Sequence, residues 1–279
     1  MVCLLKIRGL QDQMSAIERK LADFILDNSH LLRDYSSQQL ADAVGVSQSS
    51  VVKFCQKVGY KGYPDFKLAV SEALVAQSNL SREEHSDTKK TPLAEVEQFQ
   101  LQLQASYRTL LEINEQKTLA RATQLLDSAD KILLVGFGGS GLVAADFAFR
   151  LRQLGKTVCY HPDPAVQMQY SAQLSEHSVF FAISQSGENQ DVLRLARQLK
   201  SQKVQLMSLT SFKTNPLSLM VQTPLYVLAG DSSPRLDPLL EQLGAQHLCH
   251  LLYLQLSKTT ANAKVLEHSQ RLMQQLARR

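Results

Sequence analysis

The chain has 279 residues, 44% of them hydrophobic, and a net charge of +4, which is long enough for two domains with separate cores. No apolar run approaches the roughly 18 residues of a membrane span, the N-terminal MVCLLKIRGL lacks a signal-peptide core and cleavage site, and Cys3, Cys55, Cys159 and Cys249 are too scattered for a CxxC site or a disulfide framework. A membrane protein and a disulfide-stapled secreted domain are therefore excluded and a cytoplasmic location is expected, while the pI near 8.8 suits nucleic-acid binding and many enzymes alike.

From Ile7 to about Ala76 the apolar spacing is helical, with Ile17, Leu21, Phe24 and Ile25 as one stripe and Phe66, Leu68, Ala69 and Leu74 as another. Within it, Ser36 to Gly59 reads as two short amphipathic helices around a turn. Ser36 and Gln39 form a capping box, and Tyr35 and Leu40 stand where a hydrophobic staple would. Gly45 suits the left-handed residue that ends the first helix, and Ser47 recaps the second. Val51, Phe54, Cys55 and Val58 fall at i, i+3, i+4 and i+7, so that face packs inward and leaves Gln48, Ser49, Ser50 and Lys53 outside. A helix start carrying amide, hydroxyl and ammonium groups is what a recognition helix offers to base edges and phosphates in the major groove. Lys57, Lys61 and Lys67 add basic surface. Taken alone, the same pattern also describes an ordinary helical hairpin with a solvated face.

The stretch between Gln77 and Thr91 is polar and of mixed charge, and reads as a linker. Helices are predicted from Thr91 to Ile113 and from Gln116 to Ser128. The runs KILLVGF, KTVCY, SVFFAIS, VQLMSLT and TPLYVL then read as strands, mostly alternating with helical segments, which predicts a parallel five-stranded sheet flanked by helices. A last long helix is expected from about Leu239 to Leu256. The fold class is α/β overall, with an all-α N-terminal domain.

Two loops in this second half can bind an anion. Gly136 to Gly141 satisfies GxGxxG between a strand and a helix, and with Asp163 beyond the second strand it is open to a dinucleotide-binding reading. After the third strand comes Ser184-Gln185-Ser186-Gly187-Glu188-Asn189, again directly before a helix. Hydroxyls, a glycine and the free amides of a helix start make a phosphate cradle, and two such loops at the carboxyl edge of one parallel sheet point to a phosphorylated ligand.

GFGGSG followed by SQSGEN resembles the SIS (sugar isomerase) phosphosugar-binding domain, and SSQQLADAVGVSQSSVVKFCQKVGYKGYPDFKLA resembles the N-terminal module of RpiR-type transcriptional regulators. The resemblance implies a helix-turn-helix domain at 1–77, a linker at 78–91 and a SIS domain at 92–279. It implies that Ser37, Gln38, Ser47, Gln48, Ser49, Ser50, Lys53 and Lys57 contact double-stranded operator DNA. The implied effector is a phosphorylated sugar or amino sugar, held by Gly138, Gly139, Ser140, Ser184, Gln185, Ser186, Gly187, Glu188 and Asn189. Asn189 stands where related domains often carry Thr, and the segment from Gly230 to Gln246, with Arg235 as its one arginine, departs from the family pattern. The expected protein is a repressor of carbohydrate or amino-sugar genes, assembled as a dimer or tetramer through its SIS domains. No cofactor, metal, membrane partner or catalytic residue is expected. The alternative is a phosphosugar isomerase, for which Glu188, His161, His177 and His247 are the acid–base candidates; His247 and His250 are also spaced as a chance metal pair.

Overall fold

The structure, a computed structural model, describes residues 2–84, 92–228 and 235–277. It separates into two compact units that divide between Leu101 and Gln102.

The first unit contains α1 (Val2–Leu10), α2 (Ala16–Asp27), α3 (Ser37–Val44), α4 (Gln48–Lys57) and α5 (Tyr63–Glu84). Local chemistry sets most of these boundaries. Ser15 with Glu18 and Ser36 with Gln39 form reciprocal capping boxes at the starts of α2 and α3. Gly45 ends α3 at φ +73°, a conformation that a side chain would strain, and Val46 N–H donates back to Ala41 O at 2.9 Å. Ser47 then accepts from Ser50 N–H and starts α4. Val51, Phe54 and Cys55 are fully enclosed, and the Phe54 ring meets Phe66 of α5 edge-on at 6.0 Å between centroids. Burying one such side chain contributes about 1.5–3 kcal/mol, which holds α4 against the core by its inner face.

Two details of the sequence reading change. Ile17 and Leu68, expected within apolar stripes, are 49% and 61% exposed. Helix α5 continues to Glu84, well into the segment expected as linker, because 77–84 contains no glycine or proline to stop it; the remainder of that segment, 85–91, lies outside the described residues.

Next come α6 (Pro92–Ile113), inside which the units divide, and α7 (Gln116–Ser128), β1 (Ile132–Val135), α8 (Gly139–Gln153), β2 (Val158–Cys159), α9 (Pro164–Ser171) and β3 (Val179–Ile183). The chain continues through α10 (Gln190–Ser201), β4 (Gln205–Ser211), α11 (Pro216–Met220), β5 (Thr223–Val227), α12 (Asp237–Leu256) and α13 (Thr260–Ala277). Among the described residues five strands form one sheet, ordered β2-β1-β3-β4-β5 and paired parallel throughout. Every residue of β1 and β3 is buried, as helices on both faces require. Leu133, Phe180 and Leu206 pack with Val192 and Leu199 of α10, whereas Phe181 meets Phe147 of α8 on the other face. At the outer edge Asn114 donates to Tyr226 O and accepts from Tyr226 N–H, both at 2.8 Å, satisfying backbone groups of β5 that have no strand beyond them.

The strand order creates a switch point between β1 and β3, because the connections leaving them run to opposite sides of the sheet. Ligands of such sheets bind where the loops diverge at the carboxyl ends of the strands. The short helices α9 and α11 and the terminal α13 go beyond the elements predicted from sequence.

Candidate functional site

A cavity of about 430 Å³ opens in front of the carboxyl ends of β1, β3 and β4, within the size range of small-ligand sites. Ser140 reaches it from the start of α8; Ser184, Gln185 and Ser186 from the loop after β3; Asn189 from the start of α10. Ser211 and Lys213 come from the end of β4, and Glu241 comes across from α12. Hydroxyls, two amides and one ammonium group thus line the cavity beside two helix N-termini whose dipoles favour an anion.

The loop that carries the serines is anchored from behind. Ser184 N–H donates to Leu209 O at 3.0 Å and Ser211 N–H donates to Gln185 O at 2.9 Å, tying the loop to β4. Gly187 stands at φ +67°, and a Cβ there would overlap Asn215 Oδ1. Asn215 is itself buried, donating to Thr210 Oγ1 and Lys213 O and accepting from Ser218 N–H. Asn189 accepts from Asp191 N–H and Val192 N–H through Oδ1 at 3.0 and 3.1 Å. With Oδ1 used in the cap, the amide NH₂ is the group of this cavity-lining residue that can donate to a ligand.

Six of the residues expected at the effector site line this cavity or its side chamber: Gly139, Ser140, Ser184, Gln185, Ser186 and Asn189. Gly138, Gly187 and Glu188 do not. Gly138 is the N-cap of α8, Gly187 is the close-packed hinge described above, and the Glu188 side chain is exposed.

In the helical unit, Ser49, Val52, Lys53 and Gln56 recur at i, i+3, i+4 and i+7 of α4 opposite its buried face, with Ser49, Lys53 and Gln56 exposed. Ser47 Oγ lies 2.9 Å from Ser49 Oγ and 2.8 Å from Ser50 Oγ, clustering hydroxyls at the helix start. Gln48 donates to Ser37 Oγ at 2.8 Å and so braces α3 against α4, while Gln38 donates to Asp42. Two lysines expected on the basic surface are engaged by other parts of the unit, although Lys57 itself remains exposed. Lys57 Nζ pairs with Glu18 at 2.7 Å and donates to Gln13 O, tying α4 to α2; Lys67 donates to Tyr35 O. Lys53 and Lys61 stay exposed.

Comparison with known proteins agrees with both halves of this geometry. Residues 1–77 match the model of the rpiR-family helix-turn-helix domain, and residues 125–263 match that of the SIS domain. A relative from Escherichia coli (strain K12), the "Uncharacterized HTH-type transcriptional regulator YfhH", is 35% identical over 233 residues, which is 82% of this chain and 83% of that protein. The chain is an RpiR-family transcriptional regulator with a SIS domain. Among solved structures, the NanR protein of Vibrio vulnificus complexed with ManNAc-6P superposes over 98% of both chains with a TM-score of 0.61 at 24% identity. The sugar isomerase domain of an RpiR transcription factor from Sphaerobacter thermophilus covers 66% of this chain and 99% of its own, with a TM-score of 0.57 at 18% identity. Both share the fold.

Other candidate groups of this RpiR-type regulator serve structural ends. Asp163 is exposed and caps α9, its Oδ1 accepting from Ala165 N–H at 2.7 Å. His161 Nδ1 accepts from Asp163 N–H, and His177 is exposed beside Glu176. His247 stacks on Tyr107 at 4.1 Å between ring centroids, and burial, with His250 nearby, lowers its pKa. His250 pairs instead with Asp146 of α8 at 2.7 Å. None of these histidines lines the cavity. The carboxylate that does is Glu241, 7% exposed, accepting from Ser211 Oγ at 2.9 Å. Glu241, Ser211 and Lys213 are the site residues that sequence reasoning missed. One signal was available: Glu241, Ala245, Leu248, Cys249 and Leu252 form the buried stripe of α12, and an acid on such a stripe needs a reason. Among the described residues no helix is long and apolar enough to cross a membrane.

Proposed function

We propose that the regulator binds a phosphorylated sugar in the cavity between the β1 and β3 loops, and that occupancy alters the grip of α4 on operator DNA. The observation that carries this is that Ser140, Ser184, Ser186, Asn189 and Lys213 line one cavity set at two helix N-termini. That NanR of Vibrio vulnificus was solved with ManNAc-6P supports the same ligand class here. The protein acts as a cytoplasmic repressor of carbohydrate or amino-sugar genes, and as a regulator rather than an isomerase, a reading supported by its helix-turn-helix domain and its regulator relative.

In this reading Ser49, Lys53 and Gln56 approach the major groove together with the hydroxyl cluster at the start of α4. Two copies joined through their SIS domains place two such helices about 34 Å apart, or a multiple of it, on a pseudo-palindromic operator. Replacing both Ser184 and Ser186 with alanine removes two hydroxyl donors from the cradle. The double variant is expected to keep operator affinity and lose its response to sugar phosphates in a fluorescence-anisotropy titration. An undiminished response would overturn the site.

A further inference from the structure

The cavity has a second chamber whose walls differ in kind from the first. This chamber, about 210 Å³, shares Phe137, Ser140, Ile183, Gln185 and Glu241 with the main cavity and adds Gly139, Gln242 and apolar side chains of its own. Its own apolar lining includes Val143 of α8, Leu209 of β4, Val227 of β5 and Ala245 of α12. Two polar side chains of α12 line it as well. Glu241 is one; the other is Gln242, whose side chain lies over the start of α8, 3.0 Å from where a Cβ on Gly139 would be.

We propose that the effector is an N-acylated amino-sugar phosphate, with its acyl group seated in this chamber. The proposal rests on the phosphosugar reading of the main cavity and deepens it. A plain hexose phosphate presents only hydroxyls, which can reach Glu241 or Gln242 but place no apolar group against Val143, Leu209 and Val227. A free amine would meet the Glu241 carboxylate, yet its charged, hydrated head would face the same apolar wall. An acylamino group satisfies both kinds of surface. Its N–H donates to Glu241, its carbonyl accepts from the Gln242 amide, and its methyl lies on the side chains beyond. Glu241 accepts from Ser211 Oγ and is engaged further within the protein; a carboxylate has about four acceptor positions, so it can take the added N–H without giving up Ser211.

The test is calorimetric titration of the full chain with N-acetylglucosamine 6-phosphate, N-acetylmannosamine 6-phosphate, glucosamine 6-phosphate and glucose 6-phosphate. At least one acetylated ligand is expected to bind at least about 10-fold tighter than both unacylated ones, the discrimination that a small buried group typically gives. Ala245→Leu fills the chamber and should abolish that preference. Glu241→Gln, which preserves shape, is the second variant and should also narrow the preference. Equal or weaker binding of the acetylated ligands by the native chain, or a preference that survives both substitutions, would overturn the proposal. Failure of all four phosphates to bind would instead remove the phosphosugar reading, and this proposal with it.

Discussion

Lys53 and Lys57 stand four residues apart on one short helix and have different roles. Lys53 is exposed on the outer face of α4, whereas Lys57 is held by Glu18 at 2.7 Å and by Gln13 O. If Lys53 contacts a phosphate, Lys53→Ala should weaken operator binding and reduce the slope of log affinity against log salt by about 0.9. Lys57→Ala should leave that slope unchanged. It loses a partly exposed ion pair, so a destabilisation of about 0–1 kcal/mol is expected in urea melts. Measuring slope and stability for both variants separates the roles; a slope change for Lys57 alone would reverse them. Sequence periodicity could not separate the two lysines, because Lys57 is engaged by a carboxylate on α2, distant in sequence and adjacent only after folding.

At the scale of elements, those whose limits are set by neighbouring residues were the legible ones. The turn between α3 and α4 was readable because Ser36, Gln39, Gly45 and Ser47 each perform a capping task within a few residues. The loops after β1 and β3 were readable for the same reason. The opposite wall of the cavity was not, since Ser211, Lys213 and Glu241 join it only when β4 and α12 pack beside β3 and α8. The extension of α5 to Glu84 was misjudged from polar composition, although polar residues other than glycine and proline propagate a helix well enough. A comparable long-range tie joins α7 to the end of the chain. Asp127 of α7 accepts from Lys156 at 2.7 Å, just after α8, and from Asn262 of α13 at 2.8 Å. The hydrogen bond from Lys156 chiefly holds the Asp127 carboxylate below its ordinary value of 3.8; partial burial opposes this and Asn262 assists it. A carboxylate with a lowered folded pKa contributes stability that is present above its unfolded value and is lost as the pH falls through the folded one. Asp127→Asn should therefore be less stable than the native chain at neutral pH and should lose less stability on acidification below pH 3.8. Parallel acid limbs in denaturant melts of the two proteins would remove Asp127 from the account.

For the molecule as a whole, regulation requires that effector and operator share a free energy, however the two units are joined. The division between units falls inside α6, so one helix carries residues of the helical unit and of the sheet unit. A regulator of this kind needs a coupling of about 1–3 kcal/mol, which changes operator affinity by about 5–150-fold. Thermodynamic linkage makes that factor reciprocal: whatever the sugar phosphate does to operator affinity, saturating operator must do to sugar-phosphate affinity, in the same sense. The reciprocal titration can be made without knowing the target genes, using an operator fragment selected for binding from random DNA. Effector affinity is measured with and without saturating operator, and operator affinity with and without saturating effector, at one salt concentration because phosphate contacts make DNA affinity strongly salt-dependent. For a repressor released by its effector, both dissociation constants should rise by one common factor. An effector affinity untouched by operator, alongside an operator affinity that shifts, would violate the cycle and show that a contaminant or a second ligand causes the release. Two constants that both stay fixed would show that the cavity does not communicate with α4, and that its ligand serves some purpose other than control of DNA binding.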